Sequence, residues 1–428
     1  MKSEIEYTSE TEIKAFQEEK LKDMLTYISE NSPFYKRMFA GRTIEVSKIK
    51  TLQDLQQLPV TTKDDLQQFN DDFLCVPKTK IIDFVTTSGT MGSPVTFALT
   101  DKDLDRLAYN EAISMACSGV SEKDTIQLMT TIDRRFMAGL AYFLGARKLG
   151  AGIIRVGSGV PELQWDSILQ FKPTYLICVP SFLLKLVDFA SENDIDVSKT
   201  NVKAAICIGE PIRDSSFKLN ALGKKIQAVW DIELFSTYAS TEMATAFNEC
   251  SEHQGGHEHP DLIISEILDE HHQPVEAGEV GELAITTLGV EGMPLLRFKT
   301  GDMVQAFTKV CGCGRTTKRL GPVVGRKQQM IKYKGTTLYP PAMFNALEEL
   351  SEIQNFVIEL SQNAVGTDEI LLKLVVKDPS ETSIEKIKNH FRATLRVLPS
   401  IELVSEKELQ KLQFPKLSRK PVLLHDKR

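Results

Sequence analysis

Between residues 101 and 229 short apolar runs alternate with amphipathic ones, and no other feature restricts the possible folds so much. The periodicity predicts helices over 101–118, 139–149, 162–171, 181–193 and 214–222. Between them it predicts strands over 126–130, 152–156, 174–179, 204–208 and 226–229. Strands that are apolar throughout must be covered on both faces. Strand–helix alternation of this kind builds a parallel sheet with helices on either side. Such sheets present ligand loops at the carboxyl ends of their strands. Gly209 and Glu210 are expected to follow a strand, and so is Tyr238, so these candidates fall at that edge.

The flanks read differently. Residues 10–29 predict an amphipathic helix carrying Phe16, Leu21, Met24, Leu25 and Ile28, with a break at Pro33. Thr61 or Thr62 before Lys63 and Asp64 is a helix-start signal. Beyond residue 262 the runs 262–268 and 281–287 flank a turn-rich segment and predict an antiparallel β-subdomain over 262–324. The last hundred residues predict strands over 329–334 and 337–339 and a helix begun by Pro341 with Phe344, Leu347 and Leu350. Strands over 356–360 and 370–376 follow, then a helix bearing Ile384, Ile387, Phe391 and Leu395, and a strand at 401–404. That order, βαββαβ, is a small α+β domain. The expected fold is α/β: a large N-terminal domain, 1–326, with doubly wound parallel-rich sheets and a small β-subdomain, then an α+β C-terminal domain, 327–428.

A chain of 428 residues suits two or three domains. Its net charge of −7 gives no basis for a general nucleic-acid or membrane-surface binder, so neither partner is expected. The sequence has no apolar run of transmembrane length, and its start, MKSEIEYTSETEIK, has no signal-peptide core. The expected location is the cytoplasm. Seven cysteines without an export signal argue against a disulfide framework.

The run TTSGTMGSP at 86–94 combines hydroxyls with glycines. Glycines let backbone N–H groups approach a ligand closely, and hydroxyls add donors suited to phosphate oxygens. No GK[ST] follows, so it is not a Walker loop. By itself such a cluster also fits a polar surface turn. Four further motifs accompany it: LPVTTKDDL at 58–66, YASTE at 238–242, LLRFKTGD at 295–302 and GR at 325–326. In order and spacing the five resemble the adenylate-forming enzymes, most closely the phenylacetate–CoA ligase family, and the likeness covers nearly the whole chain.

That resemblance implies an ATP- and Mg²⁺-dependent ligase that converts an acid to its adenylate and then to a CoA thioester, releasing AMP and pyrophosphate. Thr87, Ser88, Gly89, Thr90 and Gly92 would hold phosphate. In YASTE, Tyr238 would stack on adenine beside Ala239 and Ser240, Thr241 would bond the α-phosphate, and Glu242 would hold Mg²⁺. Gly209, Glu210 and Pro211 match a segment beside adenine; otherwise they are a strand-to-helix turn. Asp302 would bind the ribose hydroxyls, and Arg326 ribose or phosphate. Lys420, in KLSRKPVLL, matches the lysine that serves adenylation. Lys416 and Arg419 compete for that place, a solvated basic tail is the plain alternative, and Arg419 stands where glycine is usual. The small domain would then rotate about a hinge near Gln328, bringing Tyr333, Lys334 and Gly335 to CoA.

Some members of that family also carry a C-x₆-H pair and a CxCGR pair, which here are Cys250 with His257 and Cys311 with Cys313. Three thiolates and an imidazole would make a closed, structural tetrahedral zinc site. His253 and His259 are competing ligands, and four unliganded reduced side chains are the alternative. The substrate pocket would involve Phe136, Ala138, Gly139 and Ala239. Family membership implies an aromatic or arylacetic acid. Asp133, Arg134 and Arg135 depart from the family's small and aromatic residues; the arginines would meet a second polar group, CoA phosphates or solvent. Two other readings stay open: an enzyme loading a carrier protein, and a non-catalytic nucleotide-binding protein. Relatives are often dimers, so a homodimer is a further expectation.

Overall fold

Alternate residues of four short strands point to opposite faces, and helices cover both. The computed structural model describes residues 3–87, 95–333, 336–363, 368–414 and 421–428. They divide into two compact units, Met1–Val323 and Val324–Arg428. In the first unit, Leu176, Cys178, Ala205, Cys207 and Leu234 pack with Trp165, Leu183, Leu186, Val187 and Ile226 of three helices. Their strand neighbours Tyr175, Ile177, Ala204, Ile206 and Phe235 pack the other way, with Ala112, Met115, Tyr142 and Ala146. Period-two alternation with apolar residues on both sides is what a doubly wound sheet requires.

The parallel strands lie in the order Gly152–Arg155, Thr125–Leu128, Tyr175–Cys178, Ala204–Cys207, Glu233–Ser240. The winding direction reverses between the second and third, which opens a crevice at their carboxyl ends. The sheet then turns antiparallel through Thr245–Asn248, Gly256–His257 and Arg319–Leu320 to the meander of Phe298–Phe307, Val280–Thr287 and Ile263–Leu268. The expected β-subdomain is thus hydrogen-bonded into the same sheet.

Most helix starts follow local chemistry. Ser9 and Glu12 form a capping box for Glu10–Asn31, and Thr62 and Asp65 one for Lys63–Gln68. Pro33 restarts the chain as the helix Pro33–Gly41. The expected helix at 214–222 and strand at 226–229 are corrected. Asn220 accepts a bond from Gly223 N at 2.9 Å and starts a helix at Ala221–Gln227, so Ile226 is a helical core residue. The next strand is Glu233–Ser240.

The second unit has a two-stranded sheet, Ile331–Tyr333 with Thr336–Leu338, and a four-stranded one. The latter runs Ser400–Leu403, Asp368–Val376, Ile353–Gln362, Leu424–Asp426, with helices Pro340–Glu348 and Glu381–Leu395. Helix Glu406–Gln413 and the final strand lie beyond the expected pattern. Among the described residues no helix is long and apolar enough to cross a membrane.

Candidate active site

The carboxyl edge of the parallel strands carries, in neighbouring order, the 131–136 segment, Ser181, the 209–211 turn and Tyr238–Glu242. Strand Ile81–Thr86 pairs antiparallel with Thr96–Thr100 and leads into the 86–94 run. Thr87 N donates to Val95 O at 3.0 Å, and Val95 N donates to Thr87 Oγ1 at 3.0 Å, so the two ends of the loop are tied. Thr86 N donates to Arg135 O at 3.0 Å, which joins that base to the 131–136 segment. Ser88, Gly89, Thr90 and Gly92 lie outside the described residues, as do Lys334, Gly335 and Lys420.

The 131–136 segment is tight. Arg134 and Arg135 both have positive φ, 59° and 58°. Side chains disfavour that conformation, so surrounding contacts must hold it. One such contact is close packing at Gly139, where a Cβ would sit 1.9 Å from Thr131 O. Phe136 is 36% exposed at the start of helix Met137–Leu149, on which Ala138 and Gly139 follow.

Tyr238 is half-buried against the core, and its hydroxyl donates to Asp302 Oδ2 at 2.8 Å. Burial, then the Asp302 carboxylate, pushes the phenol well above its usual range, so it keeps its proton. Two expected nucleotide residues from distant motifs therefore meet. The Lys299–Asp302 turn is held by Thr300 Oγ1, which accepts from Asp302 N at 3.1 Å, and Gly301 sits at φ 79°. The first expected motif supports the fourth: Thr61 Oγ1 donates to Leu296 O at 2.7 Å and Lys299 N to Thr61 O at 2.9 Å.

Thr241 and Glu242 are half-buried in the turn between Glu233–Ser240 and Thr245–Asn248. Ala239 and Ser240 end the first of these strands. Gly209, at φ 72°, turns the chain after Ala204–Cys207, with Pro211 exposed behind it. Glu210 accepts from both Ser181 N and Ser181 Oγ at 2.9 Å, and so caps the helix Pro180–Glu192. In the second unit, Arg326 lies in strand Gly325–Arg326, and Tyr333 is a core residue whose hydroxyl donates to Leu398 O at 2.8 Å.

Cys250, His257, Cys311 and Cys313 bring their ligand atoms within 4.8 Å of one another. Cys250 Sγ lies 3.6 Å from Cys311 Sγ, and Cys313 Sγ 3.5 Å from His257 Nε2. A tetrahedral ion with ~2.3 Å bonds to sulfur spaces its ligands ~3.8 Å apart, so the set fits zinc. Thr317 Oγ1 meets His257 Nδ1 at 2.9 Å and orients Nε2 inward. Burial lowers His257 to about 3, leaving the neutral ring that ligates metals. Burial raises Cys250 to about 12; at Cys313 it is outweighed by Arg315 hydrogen bonds, which lower that thiol. His253 and His259 are engaged elsewhere, with Glu233 and Glu249 and with Glu6 and Ser114.

Two buried ion pairs to which the motifs assign no role also shape the site, although Arg297 of the second lies within LLRFKTGD. Arg213 holds Glu249 at 2.9 Å, and Glu249 accepts from Ser236 N at 2.9 Å, joining the 209–213 turn to the Tyr238 strand. Arg297 holds Glu266 at 2.9 Å and donates to Leu58 O at 2.6 Å. The only trace in sequence is a charged residue inside an apolar stretch, which does not identify its distant partner.

The AMP-binding enzyme family model matches residues 28–292. The chain belongs to the AMP-binding enzyme family. Within that family it is similar to the phenylacetate–coenzyme A ligase of Aromatoleum evansii, 30% identical over 78% of this chain and 75% of the relative. The phenylacetate–coenzyme A ligase of Thermus thermophilus is 29% identical over 88% of this chain and 84% of the relative. A crystal structure of 2-hydroxyisobutyryl-CoA ligase in complex with R3-HIB-AMP shares the fold, with TM-score 0.84 and 22% identity over 99% of this chain and 91% of that one.

Proposed function

We propose that this protein is an AMP-forming acid–CoA ligase that activates an aromatic or arylacetic acid. Similarity to phenylacetate–coenzyme A ligases through most of both chains carries the reading. A carboxylate oxygen attacks the α-phosphorus of ATP, and pyrophosphate leaves. The thiol sulfur of CoA then attacks the acyl carbon, loses its proton, and AMP leaves.

The first step brings two anions together, so the site must neutralise charge and align the reactants. Thr87 and the 86–94 run take phosphate, Thr241 the α-phosphate, and Asp302 the ribose diol. The hydrogen bond from Tyr238 to Asp302 supports their pairing, because it fixes the carboxylate beside the ring assigned to adenine. Glu242 offers a hard oxygen suited to Mg²⁺, which when bound supplies charge neutralisation at the phosphates. Lys420 serves adenylation, and Tyr333, Lys334 and Gly335 belong to the CoA side. Cys250, His257, Cys311 and Cys313 hold a structural zinc ion; the spacing of their ligand atoms supports this.

Incubation with ATP, Mg²⁺, CoA and a panel of aromatic and arylacetic acids tests the reaction. AMP and acyl-CoA in equal amounts by mass spectrometry are expected. ADP in place of AMP, or AMP without thioester from any acid, contradicts it.

A further inference from the structure

Helix Asp101–Cys117 grips the strand that follows the Thr241–Glu242 turn. Arg106, Asn110, Ser114 and Ser118 recur every four residues, hence on one helical face, and all are buried. Asn110 Oδ1 accepts from Ala246 N at 3.1 Å. The Ser114 carbonyl accepts from Asn248 Nδ2 at 3.1 Å, and Ser118 Oγ donates to Glu249 O at 3.0 Å.

Arg106 is the rung nearest the turn. Its Nη1 donates to Ala244 O at 2.5 Å and its Nη2 to Thr245 Oγ1 at 3.0 Å. Nη2 also donates to Leu262 O at 2.6 Å, and Nε donates to Leu288 O at 2.7 Å. One guanidinium thus ties the end of the turn to two other chain segments. Ala244 needs such a tie, because it sits at φ 47°, a conformation side chains disfavour. The turn's own bonds are long: Met243 N to Ser240 Oγ and Ala244 N to Ser240 O, both 3.3 Å. A buried cation satisfied by neutral acceptors is costly where an apolar side chain would fill the space. What the guanidinium adds is a fixed fork of donors.

We propose that Arg106 is a positioning residue for the nucleotide half of the reaction: it fixes the turn that presents Thr241 and Glu242 to the phosphates and magnesium. The inference rests on the ligase reading above. Its test compares wild type with Arg106→Gln and Arg106→Lys, each checked for a wild-type-like circular dichroism spectrum. In Arg106→Gln, acid-dependent pyrophosphate exchange is expected to fall about 10- to 100-fold, as when charged hydrogen bonds are lost. Thioester formation from supplied acyl-adenylate should fall less than about threefold, and Arg106→Lys should recover part of the exchange. Equal losses in both half-reactions, or unchanged exchange, overturn the proposal. Calorimetric titration with magnesium–ATP alone separates this from failure of the ligase reading. The glutamine variant should bind magnesium–ATP about tenfold more weakly with no acid present; equal affinity overturns the positioning role.

Discussion

Glu111 is a buried carboxyl that the chemistry does not use. It accepts from Asn110 Nδ2 at 3.0 Å inside the contact between helices Asp101–Cys117 and Met137–Leu149, and burial raises it to about 8. An acid raised in the fold keeps a proton that the unfolded chain gives up. Its stability contribution is complete below the unfolded value of 4.5 and is lost as pH rises towards about 8. The wild type should therefore lose more stability than Glu111→Gln from about pH 5 to about pH 8, at about 1.4 kcal/mol for each pH unit crossed. Thermal melts of the two proteins across that range check this, and parallel pH profiles would contradict the assignment. Tyr238 makes a separate residue-scale prediction. Tyr238→Phe keeps the ring and removes the bond to Asp302, so KM for ATP should rise about three- to tenfold, the worth of one hydrogen bond. An unchanged KM would detach that hydroxyl from nucleotide binding.

At the scale of elements, the sulfur cluster joins the segment after Thr245–Asn248 to the loop before Arg319–Leu320. Zinc bound there would stabilise that end of the sheet. About one zinc per chain by atomic absorption is expected, and chelation should lower the melting temperature by several degrees. Cys313→Ser should remove the metal and abolish the chelator effect; a metal-free protein that ignores chelators would contradict the site. Four of the five parallel strands were legible in sequence because apolar runs of four to six residues between helices have few other solutions; Glu233–Ser240 was expected too early, at 226–229. The helix at Ala221–Gln227 was not, because its short run also alternates, and only the Asn220 cap distinguishes it. The i, i+4 spacing of Arg106, Asn110 and Ser114 was visible, but its meaning needed the strand it grips. The motifs placed Tyr238 and Asp302 in one site through resemblance alone; the bond between them is a long-range contact that neither local pattern contains.

For the whole molecule, the first unit holds Thr87, Tyr238, Thr241, Glu242 and Asp302, and Arg326 and Lys420 belong to the sequence of the second. Lys420→Ala should depress adenylation far more than thioester formation from supplied adenylate, and equal loss in both would remove the lysine from its role. The central claim is that this chain joins a carboxylate to the α-phosphate of ATP. The most direct measurement is exchange of labelled pyrophosphate into ATP, with magnesium, across a broad panel of aromatic and arylacetic acids and without CoA. Exchange that appears only when an acid is added is the expected result. No acid-dependent exchange from folded protein with any member of the panel would contradict it.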